Sequence, residues 1–413
     1  MADTSEQDER RRRLAAWHAS GRILWRSHAD RPLGEQLAAL AADASSVHDL
    51  DEWADVYGNG VVAELESRVA GLLGFAAAAF FPTGTMAQQV ALRCWAGRTG
   101  NATVALHPMA HPEVHEGGAL SVVSGLRTIH PTSEPRLPTA EEIQATDEPF
   151  GTLMLELPLR DAGFVLPTWD ELVAVVAAAR ERDAVVHFDG ARLWESTTHF
   201  GRPLEEIAGL ADSVYVSFYK SLGGMSGAML VGSSTLVEEA RVWRHRYGGQ
   251  VFQQYPAALS ALLGLERELP RLPSYVAHAR VVAAALAQEF AQPVRVTGSE
   301  AGTGSGAGSG SGAVPAAPWF RVHPRQPHTH QFQVWLPYDA RVLNEAAVRQ
   351  AEETGVVLFR RWFDSGSGPP GVSVTEVTVA QAGLEWTADD VRQAVREFMA
   401  RVKAEAGAET QAG

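Results

Sequence analysis

The chain has 413 residues, of which 46% are hydrophobic and 20% charged, and its formal net charge is −14. This length suits two domains, and the composition is that of an ordinary globular protein. The acidic balance argues against nucleic acid or an anionic membrane surface as a partner. Cys94 is the single cysteine, which excludes an intrachain disulfide and a zinc site built on cysteines.

No uninterrupted run of about 18 apolar residues occurs, so no transmembrane helix is predicted. The N-terminus is charged from Ala2 to Arg13 and lacks the apolar core of a signal peptide. We therefore expect a cytoplasmic protein. Residues 1–20 as a whole predict a frayed tail that leads into a short helix.

Helical and strand-like segments alternate over the next part of the chain. Periodic segments predict helices at residues 33–42, 61–73 and 169–182, and a further helix that opens at residues 80–87 and runs to about Trp95. Apolar runs predict strands at residues 103–106, 151–157, 184–189, 212–218 and 228–231. This alternation is typical of a doubly wound, mostly parallel sheet flanked by helices, in which strand carboxyl ends carry the chemistry.

The C-terminal part has a different pattern. Residues 257–290 are helical with a break at Arg271 and Pro273, and residues 302–313 are a Gly/Ser-rich segment that predicts a mobile surface loop. Strands are predicted at 331–336, 356–359 and 372–379, and helices at 342–354 and 387–404. We therefore expect an N-terminal tail and helix (1–25), a large domain (26–262) and a small α+β domain (263–413).

Lys220 stands out because it ends an apolar strand and is followed by a glycine-rich turn and a second apolar run. Burial disfavours the ammonium form, so a lysine in apolar surroundings has a lowered pKa and can form a Schiff base with an aldehyde. A solvated lysine at a strand end is the alternative. Asp189 ends the preceding strand and would lie at the same edge of the sheet.

Two further segments are candidates for ligand binding. Thr83, Gly84 and Thr85 would place hydroxyls and backbone N–H groups at a helix start, where the helix dipole favours an anion. A plain threonine N-cap is the alternative. Residues 107–115 contain three histidines, but their prolines and uneven spacing fit no standard metal motif, so no metal site is predicted. A loop that presents one histidine to a site is the better interpretation.

Together, these features form the set that pyridoxal phosphate needs. The phosphate requires N–H and hydroxyl donors, the protonated pyridine nitrogen requires a carboxylate, and the aldehyde requires a lysine. The sequence also resembles the L-threonine aldolase and beta-eliminating lyase family of fold-type I pyridoxal phosphate enzymes. The motifs that carry the resemblance lie between residues 26 and 260 and are found at residues 55–58, 81–87, 110–119, 187–192 and 212–223.

The resemblance implies an aspartate-aminotransferase-like α/β fold (fold type I), with the large domain binding pyridoxal 5′-phosphate. It implies that Gly84 and Thr85 bind the phosphate, with Thr83 beside them. It further implies that Asp189 pairs with the pyridine nitrogen and that Lys220 forms the Schiff base. Dimers or tetramers with sites at subunit interfaces are expected.

The resemblance also implies roles toward the substrate. His111 would stack on the cofactor ring near the substrate hydroxyl, although an ordinary loop histidine is the alternative. Arg192 would hold the substrate carboxylate, unless it forms an ion pair behind the site. Ser27 and Tyr57 match positions near the site, and Tyr57 can serve the neighbouring subunit.

Three departures from the family pattern concern the substrate rather than the cofactor. The usual polar segment Glu-Asn-Thr-His-Asn reads Glu-Leu-Pro-Leu-Arg at residues 156–160. The usual Gly-Gly-Gly-x-Arg-Gln segment lacks its arginine at residues 248–253, and the C-terminal carboxylate-binding arginine falls at Val372. Arg160, Arg360 or Arg361 can compensate.

The function that we expect is cleavage of β-hydroxy-α-amino acids, such as threonine, to glycine and an aldehyde. The groups that fix the carboxylate decide which bond stands perpendicular to the cofactor ring, and here those groups are altered. A β-eliminating lyase, or another transformation at Cα or Cβ, is therefore the first alternative. A non-catalytic binding protein of the same family is the second.

Overall fold

The computed structural model describes residues 4–27, 30–292, 319–365 and 371–412. The predicted Gly/Ser-rich loop at 302–313 lies outside these residues. The chain divides into two compact units: a larger one of residues 26–277 and 328–330, and a smaller one of residues 1–25, 278–327 and 331–413. The domain boundaries at 25 and 262 remain predictions.

The strands in the described residues, numbered in chain order, are β1 (Arg22–Ile23), β2 (Ala77–Phe81), β3 (Thr103–Ala105), β4 (Arg127–Ile129), β5 (Thr152–Glu156), β6 (Val185–Gly190), β7 (Ser213–Ser217), β8 (Ala228–Gly232), β9 (Arg321–His323), β10 (Gln331–Leu336), β11 (Val356–Val357), β12 (Trp362–Asp364) and β13 (Ser373–Thr378).

The α-helices in the same residues are α1 (Thr4–Ala19), α2 (Leu33–Asp43), α3 (Val61–Leu73), α4 (Gly84–Thr99), α5 (His111–Val114), α6 (Ala119–Val122), α7 (Ala140–Gln144), α8 (Trp169–Arg180), α9 (Thr197–Phe200), α10 (Leu204–Ala208), α11 (Ser234–Arg246), α12 (Tyr255–Arg267), α13 (Leu272–Phe290), α14 (Ala340–Thr354) and α15 (Ala388–Ala412). None of the helices in the described residues is long and apolar enough to cross a membrane.

The larger unit is built on a seven-stranded sheet with the strand order β2-β8-β7-β6-β5-β3-β4. Five neighbouring strands, from β7 to β4, are parallel, whereas β8 runs antiparallel to both β7 and β2. The predicted, mostly parallel sheet is confirmed. The central strands β5, β7 and β8 are buried along their whole length, which explains their continuous apolar runs.

Capping residues set the helix boundaries next to the sheet. Thr168 and Glu171 form a capping box at the start of α8, and Thr83 accepts a hydrogen bond from Met86 N at the start of α4. Gly100 ends α4 in the left-handed conformation, four residues beyond the predicted end near Trp95. The caps fix where the loops at the sheet edge begin.

The smaller unit has a four-stranded antiparallel sheet, β12-β13-β10-β9, and thus the predicted α+β character. The helix that was predicted to follow a tail within residues 1–20 is present as α1, and it begins earlier than expected, at Thr4. Arg12 of α1 forms ion pairs with Glu345 and Glu352 on α14, at 2.8 and 2.7 Å. These charged contacts keep a helix in place that has little apolar surface of its own.

Candidate active site

The carboxyl ends of three parallel strands place the predicted residues at one edge of the larger unit's sheet. In the register of β5, β6 and β7, Glu156 lies opposite Asp189, and Asp189 lies opposite Tyr215. Strand β7 ends at Ser217, and Lys220 follows three residues later. Parallel strands thus bring together two acids and a lysine that are far apart in the sequence.

Asp189 is 2% exposed and accepts a hydrogen bond from the backbone N–H of Ala191 at 3.1 Å. Burial raises the pKa of Asp189, and the charges of Lys220 and His111 partly oppose this shift. A carboxylate in this position is poorly solvated, and none of the described residues forms an ion pair with it. It is therefore suited to pair with a cation that arrives with a ligand.

Lys220 is half-buried, and its pKa is lowered to about 8 from 10.5. Burial is the largest cause, and the positive charge of Arg192 is the next, while Asp189 and Glu156 act in the opposite direction. A lysine with this pKa is present in the neutral, nucleophilic form to a useful extent near neutral pH. The lysine is thus partly buried next to charged groups, and its role in forming a Schiff base remains a prediction.

The loop that carries Lys220 is anchored by its next residue. The Ser221 hydroxyl donates a hydrogen bond to Oε1 of the buried Glu195, and Nε2 of His330 lies 3.2 Å from the same oxygen. Burial would raise the pKa of Glu195, but the neighbouring His330 and Arg192 outweigh it, so the pKa is lowered. The ionised Glu195 thus holds the Lys220 loop against the segment that follows Arg192.

The start of α4 carries backbone N–H groups of the kind that an anion needs. Gly84 and Thr85 lie in its first turn, where backbone N–H groups have no helical acceptor. Gly84 is buried against Tyr215, and a Cβ atom added at Gly84 would lie 2.0 Å from the Tyr215 hydroxyl oxygen. Glycine is therefore required here because the tyrosine approaches the backbone so closely. Thr83 caps the helix, as its alternative interpretation predicts.

His111 is the first residue of α5, and two carboxylates contact it. Its backbone N–H donates to Glu156 Oε2 at 2.7 Å, and its ring Nδ1 lies 3.4 Å from Glu116 Oε1. Burial, followed by the charge of Asp189, raises the pKa of Glu156 to about 7. Of the three predicted loop histidines, His111 is thus the one tied to the strand ends. No cluster of three metal-ligating side chains occurs in the part of the chain that the structure describes.

Two arginines from different loops act electrostatically on Lys220. Arg192 lies over the ring of Phe164 at 5.3 Å, and its Nε is buried without a hydrogen-bond partner among the described residues. Arg160 follows β5 and donates its backbone N–H to Glu156 Oε1 at 3.2 Å. The positive charges of both arginines lower the pKa of Lys220. Arg160 and Arg192 are thus the cations of this strand edge.

The remaining predicted residues lie in other surroundings. Ser27 bonds Asp30 Oδ2 through its backbone N–H and hydroxyl, at 2.9 and 2.8 Å. Tyr57 is 51% exposed, has a φ of 58° and packs edge-on against Phe252. Arg360 and Arg361 belong to the smaller unit and lie over Trp25 and Phe363, respectively. The roles of these four residues remain predictions.

Several residues of the site were not singled out from the sequence, namely Glu116, Tyr215, Ser217 and Glu195. The Ser217 hydroxyl, at the end of β7, is buried and has no hydrogen-bond partner among the described residues. Its position just before Lys220 at a strand end was an available signal, since such positions carry chemistry in parallel sheets. Glu156 also ends a strand, and in the sequence it is marked only by the segment 156–160, which departs from the family pattern.

This arrangement, with a lysine, an aspartate and a helix start suited to an anion around one sheet, is that of the fold-type I pyridoxal phosphate enzymes. A family profile described as beta-eliminating lyase matches residues 42–299, more than half of the chain. The chain belongs to the beta-eliminating lyase family. The expected family resemblance and fold class are confirmed.

Individual relatives agree with this assignment. An aldolase of Penicillium aethiopicum is 32% identical over 57% of this chain, and the matched stretch spans 61% of that enzyme, less than two thirds of its length. The low specificity L-threonine aldolase of Escherichia coli K12 is 32% identical over 53% of this chain and 67% of its own. A putative L-allo-threonine aldolase from Listeria monocytogenes has a TM-score of 0.79 and 31% identity, over 95% of this chain and 99% of that one.

The cofactor of this family is pyridoxal 5′-phosphate, and the residues present fit it. The first turn of α4 has donors for a phosphate, Lys220 has a lowered pKa, and Asp189 is a buried acid with which none of the described residues forms an ion pair. The Ser217 hydroxyl and the Arg192 Nε have hydrogen-bonding capacity that the described residues leave unused. Each group that the cofactor requires thus has a counterpart at this strand edge.

Proposed function

We propose that the protein is a pyridoxal phosphate-dependent lyase that cleaves β-hydroxy-α-amino acids of the threonine type to glycine and an aldehyde. The observation that carries the proposal is the placement of Lys220, with its lowered pKa, among Asp189, Arg192 and Arg160. The names of the Escherichia coli and Listeria relatives support the substrate class. The reaction class is that of carbon–carbon lyases that act on amino acids.

When bound, the cofactor supplies an aldehyde that condenses with an amine and a ring that accepts the electron pair of a bond broken at Cα. Lys220 would provide the amine that holds the cofactor. Asp189 would pair with the ring nitrogen and so favour its protonated form. Gly84 and Thr85 would bind the phosphate through backbone N–H groups and, in Thr85, a hydroxyl.

Arg192 is the residue that we assign to the substrate carboxylate. Its Nε is buried and without a partner among the described residues, and its stacking on Phe164 fixes the plane of the guanidinium. Arg160 is the second candidate, because its charge also reaches Lys220. By holding the carboxylate, these arginines would orient the substrate and so select the bond between Cα and Cβ for cleavage. Further proposed contributors to substrate binding are Arg360, Arg361, Ser27 and Tyr57.

His111 takes the proton of the β-hydroxyl group as the bond between Cα and Cβ breaks. Loss of that proton turns the hydroxyl carbon into the carbonyl carbon of the aldehyde, and Cα then accepts a proton to give glycine. An imidazole is suited to this step because its ordinary pKa lies near neutrality. The contact with Glu156 fixes the backbone of His111 at the strand end.

Product analysis tests the proposal directly. The purified holoprotein is incubated with threonine or phenylserine, and glycine and the aldehyde are measured together with 2-oxo acid and ammonia. Equal amounts of glycine and aldehyde are expected, whereas a 2-oxo acid with ammonia would assign the protein to β-elimination. No turnover, with no visible-edge absorbance band from a bound cofactor, would favour a binding protein. The Lys220→Ala variant should lose the band and the turnover together.

A second experiment separates aldol cleavage from other chemistry at Cα. His111→Phe should lower cleavage of phenylserine by roughly 10²-fold or more, the contribution expected of a general base. Exchange of the glycine α-proton with solvent involves no hydroxyl group, so it should change much less. Equal losses in both reactions would reduce His111 to a residue that only stacks on the cofactor.

We also propose that the protein is a homodimer or homotetramer with its sites at subunit interfaces. The support is a group of exposed aromatic side chains in the larger unit: Trp53 is 95% exposed, Phe252 54% and Tyr57 51%. Apolar patches of this kind on a folded protein mark interaction surfaces.

A further inference from the structure

His111 is held between two carboxylates that come from different parts of the chain. Glu156, at the end of β5, accepts its backbone N–H, and Glu116, in the turn after α5, faces its ring. The Glu116 side chain is 2% exposed, whereas that of His111 is 33% exposed. The Nδ1 edge of the imidazole thus lies against a buried carboxylate while part of the ring remains accessible.

Hydrogen bonds on the other side of Glu116 determine which partner donates in the contact between Glu116 and His111. The Ser124 hydroxyl donates to Gln89 Oε1 at 2.5 Å, and Gln89 Nε2 donates to Glu116 Oε2 at 3.4 Å. Gln89 and Ser124 are both buried, at 3% and 7% exposure. Because the oxygen of Gln89 is used by Ser124, its NH2 group faces Glu116, which must accept. The same carboxylate then offers an acceptor, and never a donor while ionised, to His111 Nδ1.

We propose that Glu116 is a positioning residue that fixes the tautomer of His111, with the proton on Nδ1 and the lone pair on Nε2. A neutral imidazole carries one proton, so the partner of one nitrogen decides whether the other can act as a base. With an acceptor at Nδ1, the Nε2 lone pair is free to take the β-hydroxyl proton. The inference rests on the proposed function in this one respect, that His111 is the base.

The other charged groups around His111 do not compete for Nδ1. Glu156 uses its two oxygens on the backbone N–H groups of His111 and Arg160. The ring of His115 lies 5.1 Å from that of His111, and its Nε2 pairs with Asp161 at 2.8 Å. Asp189 acts on His111 through its charge alone. Glu116 is therefore the group in direct contact with Nδ1.

Replacement by glutamine makes a sharp prediction, because Gln89 still presents its NH2 group. In Glu116→Gln, the new side-chain oxygen accepts from Gln89, and its NH2 group turns to His111. Nδ1 must then accept, which moves the proton of His111 to Nε2. The tautomer of His111 should invert. Glu113→Gln is the matched control, since Glu113 is a nearby carboxylate on α5 that pairs instead with His130 at 3.8 Å.

The tautomer is measured by ¹⁵N NMR of protein labelled with [¹⁵N]histidine, both with and without cofactor. The His111 signals are assigned by their loss in His111→Phe. The Nδ1–H form should dominate in the wild type and in Glu113→Gln, and the Nε2–H form in Glu116→Gln. A wild-type protein in which His111 is mainly Nε2–H overturns the proposal. This result requires a folded His111→Phe variant for the assignment, but it does not require that Glu116→Gln folds.

Kinetics on the same variants test the consequence. Glu116→Gln should lower kcat for phenylserine cleavage by roughly 10²-fold, the lower end of a general-base contribution, with little change in KM. Glycine α-proton exchange and both reactions of Glu113→Gln should stay near wild type. If the tautomer inverts but cleavage is unchanged, His111 is not the base, although Glu116 still sets its tautomer. An unchanged tautomer overturns the role of Glu116 whatever the kinetics.

Discussion

Lys220 is a residue whose charge destabilises the folded protein before any cofactor binds. Its pKa is lowered to about 8 in the folded state, against an ordinary value of 10.5, mainly by burial. At about 1.4 kcal/mol per pKa unit, the charged form costs the folded state on the order of 3 kcal/mol. We therefore expect Lys220→Met to raise the melting temperature of the cofactor-free protein at pH 7. Lys403→Met, on the exposed side of α15, is the control.

The pH dependence of the same effect follows from linkage. Between pH 8 and 10.5 the unfolded chain binds the lysine proton and the folded chain does not, so stability rises with pH in this window. The advantage of Lys220→Met over the wild type should therefore be full below pH 8 and disappear as the pH approaches 10.5. A constant difference across that range would mean that lost contacts, not charge, set the stability of the variant.

Asp189 should matter for turnover far more than for substrate binding. Asp189→Asn keeps the size and the hydrogen bond from Ala191 but cannot stabilise a protonated ring nitrogen as an ion pair. We expect kcat to fall by at least about tenfold, equivalent to about 1.4 kcal/mol of transition-state stabilisation, with a small change in KM. Steady-state kinetics beside Asp170→Asn, an exposed acid on α8, provide the check. A normal kcat would make Asp189 a structural residue.

At this scale, the sequence predicted residues that end strands or helices and missed those that act through a neighbour. Lys220 and Asp189 could be found because strand ends of a parallel sheet carry chemistry. Glu116 and Tyr215 could not, because their roles depend on contacts with His111 and Gly84 that exist only after folding. The distances between chain segments, which the sequence does not contain, decide such contacts.

The start of α4 shows how one element depends on another. Gly84→Ala would place a Cβ atom against the Tyr215 hydroxyl, so the Tyr215 side chain, α4 or β7 must shift. We expect a loss of about 1–3 kcal/mol of stability, as for an overpacked core, and weaker cofactor binding in a spectroscopic titration. Adding Tyr215→Phe to the Gly84→Ala variant should restore part of the stability and part of the cofactor affinity. The reason is that the Tyr215 hydroxyl oxygen is the atom nearest to the added Cβ.

A control for this change lies on the same helix. A Cβ atom at Gly97 would meet no atom closer than Glu239 Oε1 at 4.0 Å. Gly97→Ala should therefore raise the stability by about 0.5–1 kcal/mol, the usual gain in helix propensity. If both alanine variants lose cofactor affinity alike, the tight contact with Tyr215 is not what matters at Gly84.

The elements themselves were predictable where they are long and periodic. Helix α3 has the predicted bounds, and β10 likewise, because their apolar residues repeat with the helical or strand period over the whole element. The strands β1, β4, β9 and β12 were missed. Each has only two or three residues, which is too short for an alternating pattern to be recognised. Strand β11 covers only part of the predicted segment 356–359. The antiparallel direction of β8 depends on tertiary pairing and has no local signal.

For the whole molecule, the exposed aromatic residues of the larger unit predict self-association. Trp53→Glu and Phe252→Glu should each shift the protein toward monomer, because a charge at an apolar interface loses its hydration on burial. Sedimentation analysis of the holoprotein is the measurement. Val173→Glu, a 38% exposed apolar position on α8, should leave the assembly unchanged. Wild-type protein that sediments as a monomer contradicts the predicted assembly.

The strand order of the larger unit has a consequence for how the chain acquires its cofactor. Strand β2 precedes α4, whose first turn is the proposed phosphate site. Among the strands that the structure describes, the only neighbour of β2 in the sheet is β8, with Ala79 opposite Leu230. Contacts between such distant residues form late, because a long stretch of chain must first be ordered. A nascent chain on the ribosome therefore cannot complete the proposed phosphate site until β8 has emerged. Arrested chains that end before residue 228 should fail to retain the cofactor, even though Lys220 has already been synthesised.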